Sequence, residues 1–176
     1  MANPKLTLAV SHYDRYVPMF DGSVSPKGFD LEIKHVGQSE PGRYGSDRHE
    51  RMIQKGEFDV CELSLSSYLM AREQKLPFTA IPVFPRRLFS QSQIWINTSR
   101  GIREPKDLIG KKIGVKSYQV SAIVWLRGIL EHEYGVPHKS IEWFSEIDED
   151  VEFIPPDDLK LTRLDDSKSV EAMLVA

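Results

Sequence analysis

Apolar positions along the chain come in short runs between polar turns, and their spacing switches between a period of two and a helical period. Residues 5–10, KLTLAV, alternate and then run apolar, which predicts a strand ending at Ser11. Phe29, Leu31 and Ile33 alternate within 29–36 and predict a second strand. From Asp47 the pattern DRHERMIQKG fits a short helix closed by Gly56, since glycine readily takes the left-handed conformation that ends a helix. Residues 58–63 are apolar on both faces, as in a buried parallel strand. A helix over 66–74 follows, with Leu65, Tyr68, Leu69 and Arg72 at helical spacing, and residues 78–84 read as a returning strand.

The second half repeats this logic. Residues 92–97, SQIWIN, read as a strand, and Gly101, Pro105 and Gly110 then break the pattern. Residues 94–98 are expected to connect two lobes, the first being 1–95 and the second 96–176. A strand over 112–115 leads to a helix over 120–134 capped by Gly135, and further strands are expected at 141–144 and 159–164. Ser167 is a plausible N-cap for a last helix with Val170, Met173 and Leu174 on one face, and its stop at Ala176 without a cap reads as an element cut short. Alternating strands and helices predict an α/β protein with right-handed crossovers. Two strand-to-helix turns, within 57–85 and 111–130, are placed to surround a small anion with backbone amides, one from each lobe.

Composition narrows the function classes. The chain has 176 residues, 40% of them hydrophobic, enough for one packed domain or two small ones. No apolar run approaches the ~20 residues of a membrane-spanning helix, and the apolar run near the N-terminus is a strand-like stretch. With Met1 as the start, the expectation is a cytoplasmic protein with no membrane partner. A single cysteine, Cys61, excludes an internal disulfide framework and a cysteine-rich metal site. The net charge is −3, but residues 146–158 hold acidic and no basic side chains, so the remainder is mildly basic. The acidic run is expected to be a solvated loop. The basic remainder suits a small anionic ligand and lacks the basic stripe that nucleic acid requires.

Four groups of residues carry candidate chemistry. His12 and Arg15 follow the first strand, where an imidazole can move a proton and a guanidinium can clamp a carboxylate; a solvated loop with an Asp14–Arg15 pair explains the same residues. Glu62, Ser64 and Ser66 lie at a strand's end beside a helix start, fit for proton transfer or carboxylate binding, or equally for ordinary serine capping. Arg86 and Arg87 follow the expected strand over 78–84 as an anion clamp or a surface turn. Ser117, Tyr118 and Gln119 can offer a hydroxyl, a phenol and an amide to a polar aromatic ligand. Trp125, in the helix beyond, reads as core. His132, Glu133 and His138 form no metal pattern, and no phosphate-binding or nucleophile-elbow motif occurs.

The segments YDRYVPMFDG, FDVCELSLSSYL, PFTAIPVFPRRLF, INTSRGIREPKDLIGKKIGV, YQVSAIVWLRGILEHEYGV and IEWF, in this order, resemble the 4,5-dihydroxyphthalate decarboxylases and their relatives. The resemblance runs over nearly the whole chain. It implies a type 2 periplasmic-binding-protein-like α/β fold, two lobes around a cleft, in a chain about twice this long whose path returns to finish the first lobe. Here the second lobe and the return segment are expected to be incomplete. Relatives commonly carry an Arg-His pair where this chain reads Ser90-Gln91, and the 37–48 region is longer and more polar than the resemblance leads one to expect.

The resemblance further implies a lyase that needs no cofactor and removes a carboxylate from a hydroxylated aromatic diacid, a small aromatic carboxylate being the ligand. Such chemistry needs a base near the phenol, an acid near the ring carbon and an anchor for the second carboxylate. His12 or Glu62 is expected to transfer the proton; Arg15, Arg86 or Arg87, Ser64, Ser66, Ser117, Tyr118 and Gln119 are expected to hold the substrate. A solute-binding protein without catalysis, or an inactive fragment, fits the same scaffold. Homo-oligomerisation is left open.

Overall fold

A computed structural model of the chain describes residues 2–36, 48–86 and 89–175, the side chain of residue 90 aside. It falls into two compact units, Met1–Ser64 with Ala71–Phe78, and Leu65–Met70 with Thr79–Ala176. In the first, β1 (Lys5–Val10) forms where the alternation predicts it, followed by the single-turn α1 (Val17–Phe20) and β2 (Asp30–His35). Helix α2 (Arg48–Lys55) ends at Gly56, whose φ of +57° lets the N–H of Gly56 donate to the Met52 carbonyl at 2.9 Å. The short β3 (Val60–Cys61) leads into α3 (Leu65–Glu73).

The strands lie in the order β2-β1-β3, all parallel, with Lys5 opposite Asp30 and Val10 opposite His35 on one side, and Leu8 opposite Val60 on the other. Parallel neighbours put all three carboxyl ends on one edge, and that edge is where open α/β sheets present ligand-binding residues. Ala9, Val10, Ile53, Phe58 and Ala71 are buried in this unit.

The second unit is built on β4 (Lys112–Val115), α4 (Ser121–Tyr134), β5 (Glu142–Ser145), β6 (Leu161–Arg163) and α5 (Val170–Val175). Its sheet runs β4-β5-β6, again parallel throughout. Leu126 and Leu130, one turn apart on α4, pack with Leu108, Val115, Tyr118, Val136, Ile141 and Trp143 into one core. Gly135, at φ +65°, closes α4, and the following Val136 N–H donates to the Leu130 carbonyl at 2.8 Å. Helix α5 lies close against β4: a Cβ built on Gly114 would come within 2.5 Å of a Val170 methyl.

Several expectations are corrected. Residues 78–84 and 92–97 join neither sheet. Pro82 removes a ladder donor from the first, and a 3₁₀ turn over Ser90–Gln93 breaks the second, leaving Ile81, Val83, Phe84, Ile94, Trp95 and Ile96 exposed. Trp125 is 64% exposed, because Leu126 and Leu130 define the inward face of α4 and Trp125 lies off it. Ser167 forms a turn with Asp165, whereas Ser169 caps α5 through its Oγ, which accepts the Ala172 N–H at 3.1 Å. The strand expected over 58–63 is reduced to two ladder residues. Asp47 and most of the polar 37–48 region lie outside the described residues.

Candidate functional site

At the carboxyl edge of the first unit, β1 gives way to Ser11, buried, and His12, exposed. The His12 ring stacks on Phe20 of α1 at 4.9 Å between centroids and meets His35, the last residue of β2, at 5.5 Å. Phe20 also meets His35 edge-on at 6.2 Å. The register makes this grouping: Val10 pairs with His35, so the residue after β1 emerges beside the end of β2. One aromatic face therefore holds an imidazole that is open to solvent.

Behind His12 the chain turns through a 3₁₀ segment, Asp14–Tyr16, and the Tyr13 and Tyr16 rings stack at 5.9 Å. The Arg15 guanidinium lies over the Tyr13 ring at 4.1 Å and pairs with Asp14 at 3.4 Å, so the local pair expected for this loop is present. Partial burial, and then the charge of Glu62, push the Tyr16 phenol above its ordinary value. It stays protonated at neutral pH and is a hydrogen-bond donor near Glu62.

Glu62 does not stand open at the strand end. Its carboxylate accepts from Arg48 Nη2 at 2.9 Å, and the side chains are 9% and 2% exposed, respectively. Arg48 also donates to the Glu62 carbonyl through Nε at 2.9 Å, to Ser11 Oγ at 2.7 Å and to the Val36 carbonyl at 3.3 Å. One guanidinium from the first residue of α2 thus ties together the chain segments leaving β1, β2 and β3. Arg48 was missed in the sequence because it lies at a helix start after a polar loop, where an exposed arginine is the ordinary expectation. Ser64, half-buried, follows Glu62 in the same unit.

The second unit holds the other predicted group. Ser66, near the start of α3, takes the Ser121 Oγ as acceptor for its N–H at 3.0 Å, and its hydroxyl donates to the Gln119 carbonyl. Ser117, Tyr118 and Gln119 are brought beside Ser66, and all three are buried. The Gln119 amide clamps the backbone of Val151, donating at 2.6 Å and accepting at 2.9 Å. Tyr118 packs edge-on against Trp143 at 5.5 Å and under the Arg127 guanidinium at 3.7 Å, and burial raises its phenol while burial lowers Arg127.

The backbone amides of this turn do meet a carboxylate, supplied by the chain itself. The N–H groups of Tyr118 and Gln119 donate to the two oxygens of Glu149 at 2.7 and 2.9 Å. Asp150 accepts from Ser67 Oγ at 2.9 Å, and Glu146 accepts the Val170 N–H at 2.7 Å. The acidic run expected to be a solvated loop is therefore in part an internal set of acceptors, with Val151 buried among them. Arg86 is exposed in this unit, and Arg87 lies outside the described residues. Among the described residues no group of three or more His, Cys, Asp or Glu is arranged to hold a metal ion, and no helix is long and apolar enough to cross a membrane.

Two all-parallel sheets, together with the family match that follows, place the protein among α/β folds of the type 2 periplasmic-binding-protein-like class. The chain belongs to the NMT1/THI5-like family, whose model matches residues 27–160. It is 41% identical over 147 residues to a 4,5-dihydroxyphthalate decarboxylase of Comamonas testosteroni, and 39% identical over 139 residues to one of Pseudomonas putida. Those alignments cover 81% and 78% of this chain but 42% and 51% of the relatives. The chain thus spans about half the length of the curated relatives it matches.

Proposed function

We propose that the chain serves cofactor-independent decarboxylation of a hydroxylated aromatic dicarboxylate such as 4,5-dihydroxyphthalate. The observation that carries this reading is the identity of about 40% to two decarboxylases of that name. The strand-edge group of the first unit supplies a matching set of chemical roles. His12 is the proton carrier of choice over Glu62, because its ring is open to solvent whereas the Glu62 carboxylate is held by Arg48. Arg15 offers a cation to a substrate carboxylate, and the neutral Tyr16 phenol offers a donor to a substrate hydroxyl.

The reaction would use a phenol oxygen para to the departing group. Its deprotonation pushes electrons into the ring, the ring carbon bearing the carboxylate takes a proton, and the carbon–carboxylate bond then breaks with its electron pair returning to the ring. CO2 leaves and the hydrogen stays on carbon. Incubation with 4,5-dihydroxyphthalate, following CO2 release beside a ligand-induced thermal shift, tests the reading. In a form that turns over, His12→Ala should lower turnover about 100-fold or more, as loss of a general acid–base group does. An unchanged rate removes His12 from the mechanism.

A second reading, a solute-binding protein without catalysis, draws on the periplasmic-binding-protein-like fold, since one scaffold hosts both functions. A thermal shift with no CO2 favours it.

A further inference from the structure

Beside His12, within the first unit, stands a second imidazole. The alternation that puts Leu31 and Ile33 on one face of β2 puts His35 there too, so a titratable ring ends an otherwise apolar stripe. His35 is exposed, as His12 is, and the two ring centroids lie 5.5 Å apart with their planes tilted by 53°. Phe20 touches both, stacking on His12 at 4.9 Å and meeting His35 edge-on at 6.2 Å. The backbone beneath the pair is tied down. Arg48 Nη1 donates to Ser11 Oγ at 2.7 Å and to the Val36 carbonyl at 3.3 Å, and these residues adjoin His12 and His35. The Val36 N–H donates to the Val10 carbonyl at 3.2 Å, and the Tyr13 N–H to the Ser11 carbonyl at 3.0 Å. One buried guanidinium thus fixes the spacing of two exposed imidazoles, and groups that transfer protons at two ends of a ligand need a spacing set in advance.

Decarboxylation as proposed above needs an acid for the ring carbon and a base for the phenol, and His12 fills only the first role. Glu62 does not serve as the base, since Arg48 holds its carboxylate. Resting on that reading, we infer that His12 and His35 form one two-imidazole site for a hydroxylated aromatic carboxylate, with His35 the catalytic residue that takes the phenol proton. The phenol oxygen and the carbon para to it lie at opposite ends of one ring, and two imidazoles held apart by the fold reach one each. The cycle begins with His12 protonated and His35 neutral. His35 accepts the phenol proton, the electron pair moves into the ring, and the para carbon bonds to the proton that His12 gives up. The carbon–carboxylate bond then breaks, CO2 departs, the bonding pair restores the aromatic ring, and the oxygen retrieves its proton from His35. His12, exposed, regains from solvent the one proton that the reaction consumes.

The test follows the histidine ring signals of the intact chain by NMR as 4,5-dihydroxyphthalate is added, with His12→Gln and His35→Gln assigning the two rings. Both positions are exposed, so unchanged far-UV circular dichroism is expected of each variant and shows that it is folded. The expected result is that the His12 and His35 signals shift together along one saturating curve. Phthalate, which carries no phenol, should shift His12 and leave His35 nearly unmoved. The inference is overturned if the dihydroxylated ligand shifts neither ring or His12 alone, or if phthalate shifts His35 as far. CO2 release is read separately. Where wild type releases CO2, His35→Gln should lower kcat about 100-fold, a far larger change than in KM, and added imidazole should restore part of the rate to His35→Ala. A kcat that His35→Gln leaves unchanged, while His12→Gln abolishes it, removes His35 and leaves the decarboxylase reading standing. Joint shifts of both rings with no CO2 from wild type do the reverse: the two-imidazole site stands and the decarboxylase reading falls.

Discussion

Replacing Arg48 with methionine should cost the first unit more than any surface substitution. The guanidinium is 2% exposed and makes four contacts: the Glu62 carboxylate and carbonyl, the Ser11 hydroxyl and the Val36 carbonyl. Methionine fills much of the same volume and supplies none of the donors. The Glu62 carboxylate, 9% exposed, is then left in a poorly hydrated place without its cation. Removing one partner of a buried ion pair costs about 3–5 kcal/mol, mostly from stranding the other charge.

All three tryptophans, Trp95, Trp125 and Trp143, lie in the second unit, so fluorescence would miss this loss. Hydrogen exchange of the β1 amides reads it directly. At tenfold per about 1.4 kcal/mol, exchange governed by opening of the unit should speed up by about 100-fold or more. Pairing the substitution with Glu62→Gln should recover part of the loss, and the double-mutant cycle gives the coupling between the two side chains. Arg48→Lys keeps the charge but cannot reproduce the fork that reaches three chain segments, so it should fall between wild type and Arg48→Met. Exchange less than about 10-fold faster in Arg48→Met would refute the reasoning, since it would mean that Glu62 rehydrates at little cost.

The remaining predictions test the second unit and the acid range. Trp143→Ala, at a fully buried position, should cost about 3–5 kcal/mol in a thermal melt followed by circular dichroism, whereas Trp125→Ala, at a 64% exposed one, should stay within about 1 kcal/mol. Equal costs would contradict the orientation of α4. Glu149→Gln removes the charge that two backbone N–H groups share and should destabilise the second unit by about 1–3 kcal/mol, read by urea unfolding on the tryptophan signal. No change would show that water serves those amides equally well. Asp59 accepts from the Thr7 N–H at 2.8 Å and its hydroxyl at 2.9 Å, and these bonds hold its carboxyl below the ordinary 3.8. A lowered folded-state value stabilises above the unfolded value, and that contribution is lost as pH falls through the lowered one. Wild type should therefore exceed Asp59→Asn in stability near neutral pH, with the gap closing below the ordinary aspartate value; a gap independent of pH would refute the assignment.

Elements with their own local signals were legible in the residues. KLTLAV became β1 and KKIGV contains β4, because alternation and neighbouring turns set them without help from distant chain. Gly56 and Gly135 close α2 and α4, since the positive φ each adopts is one that glycine takes without strain. What failed depends on a partner. Residues 78–84 and 92–97 have strand composition, but a strand needs a neighbour to pair with, and none among the described residues provides it. Trp125 was misplaced because Val124, Leu126, Ile129 and Leu130 make α4 apolar nearly all round, so the pattern gives no sharp inward stripe.

The candidate site was legible as positions but not as partnerships. His12, Glu62 and the 117–119 turn all fall at strand ends, as the pattern of strands and turns placed them. Whether a polar group there faces a ligand or is consumed by the fold depends on residues far away in sequence, Arg48 for Glu62 and Glu149 for the Tyr118 and Gln119 amides. Both partners lie in polar stretches that look solvated when read alone. The two units thus treat their strand ends differently. The first neutralises its buried carboxylate with a buried guanidinium and leaves an imidazole, a guanidinium and a neutral phenol around one edge. The second satisfies its helix-start amides with its own carboxylate. A carboxylate ligand reaching those amides must displace Glu149, exchanging one anion for another at little gain, whereas His12 and Arg15 at the first edge remain accessible for chemistry. That contrast in satisfied polar groups is why the catalytic proposal rests on the first edge.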